Sequence, residues 1–213
     1  MKFFTTLLLF SFSFPVFSQI DNKTQMIETF NQAQILTSGR KYSEAKELYI
    51  TAYELGDHLL SPFQLGELFY AGLGVQQDIE EAVKWYKISA DNGHPESSFY
   101  CGYAYNIGQG FPKDFAKALK YYYQASDYIP NANLRIGLLL REGLGEQKNE
   151  VKAYEYIKKG AEMGCAESQY SLAFGYLNGY GNLPVNKQKA LTWMRKAADQ
   201  GYVKAQIWLN DNK

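Results

Sequence analysis

The sequence is poor in the residues that carry most metal and nucleophile chemistry, with two histidines (His58, His94) and two cysteines (Cys101, Cys165) in 213 residues. Neither histidine has a carboxylate or second imidazole at ligand spacing beyond what chance gives, so no metal or other cofactor is expected and both read as solvated turn residues. No strand–Ser–turn–helix elbow and no Cys–His or Ser–His constellation is present, which argues against nucleophilic catalysis. Two cysteines are also too few for a disulfide framework. An excess of charge of one sign is missing, because 22 Lys and Arg face 22 Asp and Glu. That balance gives no electrostatic footprint for nucleic acid or an anionic membrane. No strand-like alternation appears anywhere.

Long apolar runs are absent beyond the first residues. Met1-Lys2 supplies one positive charge, Phe3 to Phe14 run apolar apart from Thr and Ser, and Val16-Phe17-Ser18 precede a cut with small or modest side chains. This pattern predicts a signal peptide over residues 1–18, cleaved between Ser18 and Gln19. The run is shorter than the roughly 20 residues of a spanning helix, so stable membrane insertion is not expected. The chain therefore reads as exported, to the periplasm or beyond. Without Lys2 the mature chain holds 21 basic and 22 acidic residues.

What the sequence does have is a repeat. Gly-x-Gly occurs at Gly72/Gly74, Gly108/Gly110, Gly143/Gly145 and Gly179/Gly181, with the first members 36, 35 and 36 residues apart. After each pair come an Asp or Asn (Asp78, Asp114, Asn149, Asn186), an Ala (Ala82, Ala118, Ala153, Ala190) and an aromatic (Trp85, Tyr121, Tyr156, Trp193). A small residue closes each unit at Ala90, Ser126, Ala161 and Ala198. A fixed period of this length predicts stacked supersecondary units and moves the functional question from a pocket to a long surface.

Each unit reads as a helix pair. In the first, Ser61, Leu65, Leu68 and Phe69 recur at three- and four-residue spacing, and Gly66 lies on the same stripe. Glycine costs about 1 kcal/mol inside a helix, so its return at Gly102 and Gly137, with Ala173 in the fourth unit, predicts close helix contact. The Gly-x-Gly pairs end the first helices, and Asp78 and its equivalents cap the second ones. A phosphate cradle would need a preceding strand, and none precedes these glycines. Ala82, Trp85, Tyr86, Ser89 and Ala90 form the expected buried stripe of the second helix. Tyr121-Tyr122-Tyr123 follows the same register, with only Tyr123 facing outward. Cys101 falls on an inward apolar position and Cys165 in a turn. They are non-equivalent, so two unbridged thiols are expected.

The string Leu65-Gly66-x-x-Phe69-x-x-Gly72-x-Gly74-Val75-x-x-Asp78-x-x-x-Ala82-x-x-Trp85-Tyr86-x-x-x-Ala90-x-x-Gly93 resembles the Sel1-like repeat, a longer relative of the tetratricopeptide repeat. Four copies are expected over residues 61–204, namely 61–96, 97–131, 132–167 and 168–204. Residues 19–60 resemble a plain tetratricopeptide helix pair, its first helix from about Thr24 to Ser38, and residues 205–213 a capping helix. The resemblance implies an all-α, right-handed superhelical solenoid of antiparallel helix pairs whose first helices line a concave groove. It also implies protein binding, by an exported bacterial module that meets a toxin or envelope partner, a periplasmic immunity protein among the alternatives. Some exported members with a cysteine pair in each repeat are linked to β-lactam binding or hydrolysis. Cys101 and Cys165 match neither position of that pair, so a cell-wall or β-lactam enzyme is the lesser reading.

If the packing stripe of the first helices is Leu65/Gly66/Phe69, then Phe63, Glu67 and Tyr70 point into the groove. Their equivalents are Phe99, Tyr103 and Asn106, then Leu134, Leu138 and Arg141, then Tyr170, Phe174 and Leu177. An aromatic and apolar lining at positions otherwise wet suits a protein or peptide partner. Glu67 and Arg141 would set its polarity.

Overall fold

The structure is a computed structural model and describes the backbone of residues 14–212 and the side chains of residues 21–212. These residues form eleven α-helices: α1 (Phe14–Ser38), α2 (Tyr42–Glu54), α3 (Leu60–Ala71), α4 (Ile79–Asp91), α5 (Pro95–Ile107), α6 (Phe115–Ala125), α7 (Pro130–Glu142), α8 (Glu150–Glu162), α9 (Ala166–Asn178), α10 (Lys187–Asp199) and α11 (Val203–Asp211). No strand occurs among the described residues, and each helix packs on the next in chain order. The result is a solenoid of five helix pairs closed by α11. Most of the expected signal segment lies outside the described residues, and its last part, Phe14–Ser18, begins α1.

The turn inside each full unit is built twice over. Asp78, Asp114, Asn149 and Asn186 accept from the amides of Glu81, Lys117, Lys152 and Lys189 at 2.9–3.0 Å. Their own amides return to the carbonyls of Phe69, Tyr105, Leu140 and Tyr176. Both donors and acceptors at the helix ends are thus paired within the turn.

The second glycine of each pair is required by what lies beneath it. A Cβ on Gly74 would fall 2.5 Å from the Ser43 amide nitrogen, and one on Gly145 would fall 2.5 Å from the Phe115 carbonyl oxygen. The Gly74 and Gly145 turns therefore sit backbone-on-backbone against the second helix of the preceding unit, with φ of +68° and +83°, whereas Gly110 faces the Val83 side chain and Gly181 the Tyr154 side chain. In the fourth unit the extra residue is taken up by a short 3₁₀ turn, Tyr180–Asn182, beside Tyr154.

Between the two helices of a unit, Gly66 and Gly102 lie against the rings of Tyr86 and Tyr122, and Gly137 against Ile157. The fourth unit places Ala173 in one core cluster with the flexible Met194, which leaves room for the methyl group.

The structure shifts several expectations. α5 and α7 begin at Pro95 and Pro130, whose fixed φ and missing amide proton suit the first turn of a helix. Trp85 and Trp193 are half-buried rather than buried, since their position lies at the seam between units. Trp85 there meets Tyr53 of the preceding pair edge-on. Tyr123 is not free on the outside. It packs on Tyr156, with the Lys152 ammonium 5.1 Å above its ring. His94 is not a solvated turn residue, because its Nδ1 caps α5 by accepting from the Ser97 amide and its ring lies 4.4 Å from that of Phe63. Cys165 holds the equivalent place at the start of α9, its Sγ accepting from the Ser168 amide and donating to Asn131 Oδ1. Both thiols are free and buried, and burial pushes the Cys101 thiol up to about 12.

Candidate protein-binding groove

The first helices α3, α5 and α7 come together around a cleft of about 290 Å³. Tyr70 from α3, Phe99, Tyr100 and Tyr103 from α5, and Arg135 from α7 line it, with Tyr86 of α4 at its base. Repeat spacing explains the assembly. Tyr100 and Arg135 occupy the same position in successive units, as do Glu67 and Tyr103, so stacking aligns them along one face.

Tyr70, Tyr100 and Tyr103 are 50%, 37% and 41% exposed, high values for rings gathered in one depression. The base is rigid. Tyr86 is buried, stacks on Tyr100 at 4.9 Å between ring centroids, and donates its hydroxyl proton to Glu67 Oε1 at 2.5 Å. Burial first, then the hydrogen bond to the Glu67 carboxylate, push the Tyr86 hydroxyl far above the usual phenol range. It stays protonated and fixes Glu67. Burial likewise raises the Tyr122 hydroxyl, with Arg135 pulling the other way.

Of the residues expected to line a groove, the cleft gathers Tyr70, Phe99 and Tyr103, with Glu67 held at its edge by Tyr86. Phe63 is half-buried between the Tyr86 and His94 rings. Asn106 is half-exposed. Leu134 does not face a groove. It is 1% exposed and belongs to the core shared by α7 to α10. Leu138 and Leu177 pack on that core as half-buried side chains. Tyr170 and Phe174 pair with each other and are covered by Tyr202 and by Trp208 of α11. Their rings are half-buried because the capping helix lies on them. Arg141 does not set the polarity of the cleft. Its Nε pairs with Glu142 Oε1 at 3.1 Å, and it lines a separate depression with Lys148, Tyr154 and Tyr180.

Two cleft residues, Tyr100 and Arg135, lie one position beyond Phe99 and Leu134. The sequence signal for them is their shared repeat position, also held by Gln64 and Ser171. Among the described residues no cluster of three or more His, Cys, Asp or Glu is placed to hold a metal, and no helix is long and apolar enough to cross a membrane.

The family model described as Sel1 repeat matches residues 38–57, 63–94, 95–127, 130–165 and 166–202. The first stretch covers α2 and the turns on either side of it, so the same family model reaches the second helix of the N-terminal pair. A solved Sel1 repeat protein from Oxalobacter formigenes is 32% identical with a TM-score of 0.70, covering 77% of this chain and 65% of that one. A protective antigen of uropathogenic Escherichia coli strains, solved with an SLR fold, is 32% identical with a TM-score of 0.72, covering 78% of this chain and 35% of its own. Among curated proteins, an exopolysaccharide production negative regulator of Rhizobium meliloti is 30% identical over 168 residues, which are 79% of this chain and 54% of that protein. Chitin synthase regulatory factor 1 of Schizosaccharomyces pombe is 34% identical over 56% of this chain and 27% of its own length. The chain thus spans about half or less of the curated relatives it matches.

Proposed function

Because the chain belongs to the Sel1 repeat family, whose solenoids are protein-interaction scaffolds, we propose that it is an exported adaptor binding an extended segment of a protein partner in the α3–α5–α7 cleft. The observation that carries this reading is the group of partly exposed tyrosines, Tyr70, Tyr100 and Tyr103, on the face shared by successive first helices. Tyrosine buries a large area on binding with few rotatable bonds to fix, and its hydroxyl finds partners at a wet rim. A rigid, Glu67-anchored base lowers the ordering cost of association.

The relatives named as an exopolysaccharide production negative regulator and a chitin synthase regulatory factor support a regulatory rather than a catalytic role. The Lys2 charge and the apolar Phe3–Phe14 run support action outside the cytoplasm, and N-terminal sequencing of the mature protein tests this by finding Gln19 first.

Site-specific photocrosslinking tests the groove. A benzoylphenylalanine at Tyr103 is expected to join a discrete partner in living cells, whereas one at Tyr128, 70% exposed in the α6–α7 turn, is not. Crosslinks from Tyr128 alone would place the binding face elsewhere.

A further inference from the structure

Among the residues that line the cleft, Arg135 is the one that carries a charge, and the fold leaves that charge unused. It enters no ion pair among the described residues, and its Nε is shut off from water without a hydrogen-bond partner. The Tyr122 hydroxyl, next to Arg135 and Tyr103, is buried and equally without a partner. Other cations of the third unit are committed, though they lie outside the cleft: Arg141 to Glu142, Lys152 to Glu146, and Lys159 to Asp127. A guanidinium stays charged at physiological pH and presents a planar set of donors that matches a carboxylate. Holding it half-buried without a counter-charge costs free energy that an incoming anion recovers.

The cleft is also polarised. Glu67 lies near Tyr70 and Tyr100 at the α3 side, while Arg135 marks the α7 side. Arg135 stands in mid-stack, and the later units carry Leu138 and Leu177 at the repeat positions of Tyr103 and Tyr70. A partner chain would therefore run past Arg135 rather than end there.

Building on the groove reading, we propose that Arg135 receives an internal Asp or Glu side chain of the partner segment, next to an apolar or aromatic residue seated among Tyr70, Tyr100 and Tyr103. The carboxylate replaces the missing counter-charge, and the ring fills the tyrosine-lined hollow.

The test is an array of acetylated, amidated heptapeptides that pair one Phe or Leu with Glu at each spacing, alongside copies with Gln in place of Glu. Purified mature protein is expected to favour Glu peptides by about tenfold, the worth of one charge-assisted contact. Arg135→Gln should erase that preference, and Arg135→Lys should keep part of it, both variants melting within a few degrees of the parent. Equal binding of Glu and Gln peptides, or none by either, overturns the proposal. So does a preference that appears only with a free C-terminal carboxylate, which would assign Arg135 to chain ends. If the Tyr103 crosslink then persists unchanged in Arg135→Gln, the groove reading stands and only the acidic-residue assignment falls.

Discussion

The Tyr86 hydroxyl on α4 donates to Glu67 on α3 at 2.5 Å, tying the core of the first full unit to the edge of the cleft. Glu67→Ala would leave a buried hydroxyl unpaired, and such losses cost about 1–3 kcal/mol. The paired replacement Glu67→Leu with Tyr86→Phe removes both partners and should cost less than Glu67→Ala alone. Urea unfolding of the variants measures the order. A double variant less stable than Glu67→Ala would mean that the bond contributes little.

The contact between Gly102 and Tyr122 makes a second prediction. A Cβ on Gly102 would lie 2.7 Å from Tyr122 Cδ1, and Tyr122 is fully buried with nowhere to turn. Alanine gains about 1 kcal/mol of helix propensity, but overpacking costs about 1–3 kcal/mol. Gly102→Ala is therefore expected to lower the melting point. The fourth unit already carries the compensated form, Ala173 with Met194. Adding Tyr122→Met to Gly102→Ala should thus recover part of the loss, and a further drop would show that the two sites are not equivalent.

These contacts show which parts of the fold the sequence exposes. Caps at Asp78 and Asn149, the Gly-x-Gly turns and the glycines facing Tyr86 and Tyr122 recur at one period, so each copy confirms the others. The groove was less legible. Helical spacing marks a stripe but leaves its edges uncertain by one position. The packing of α7 on α8 and α9 makes Leu134 core while its neighbour Arg135 opens into the cleft. Tyr170 and Phe174 looked equivalent to Phe99 and Tyr103, but only the placement of α11 reveals that they are covered. The capping role of His94 was hidden because Ser, Thr, Asp and Asn are the usual residues for that task.

His94 gives the fold a pH response. Burial is the largest influence and lowers its pKa below the usual 6.5, although Glu96 and Asp57 act in the opposite direction. Protons then bind the unfolded chain more readily than the folded one, so stability is full above pH 6.5 and falls as pH drops through the folded value. Protonation would also end the acceptance at Nδ1 from the Ser97 amide. Urea midpoints should therefore fall between pH 7.5 and pH 5.5, and His94→Asn, which keeps a capping oxygen, should flatten that dependence. An unchanged slope would assign the response to other groups.

Burial also separates binding residues from structural ones on the same helical face. Tyr70 and Tyr103 are 50% and 41% exposed. Replacing both with Ser should change stability by less than about 1 kcal/mol, as expected for surface positions. The same replacement should abolish the Tyr103-side crosslink when the photoprobe is moved to Tyr100. Phe174 behaves differently because its ring is clamped between Tyr170 and Trp208. Phe174→Ser removes that ring from the terminal core cluster and should cost about 2–4 kcal/mol, near the range for large buried aromatics. Amide exchange should then show α11 opening first, since α11 holds a single buried residue, Ala205, and packs mainly on α10. If Phe174→Ser left α11 protected while Tyr70→Ser with Tyr103→Ser unfolded the stack, the two groups would have to exchange roles.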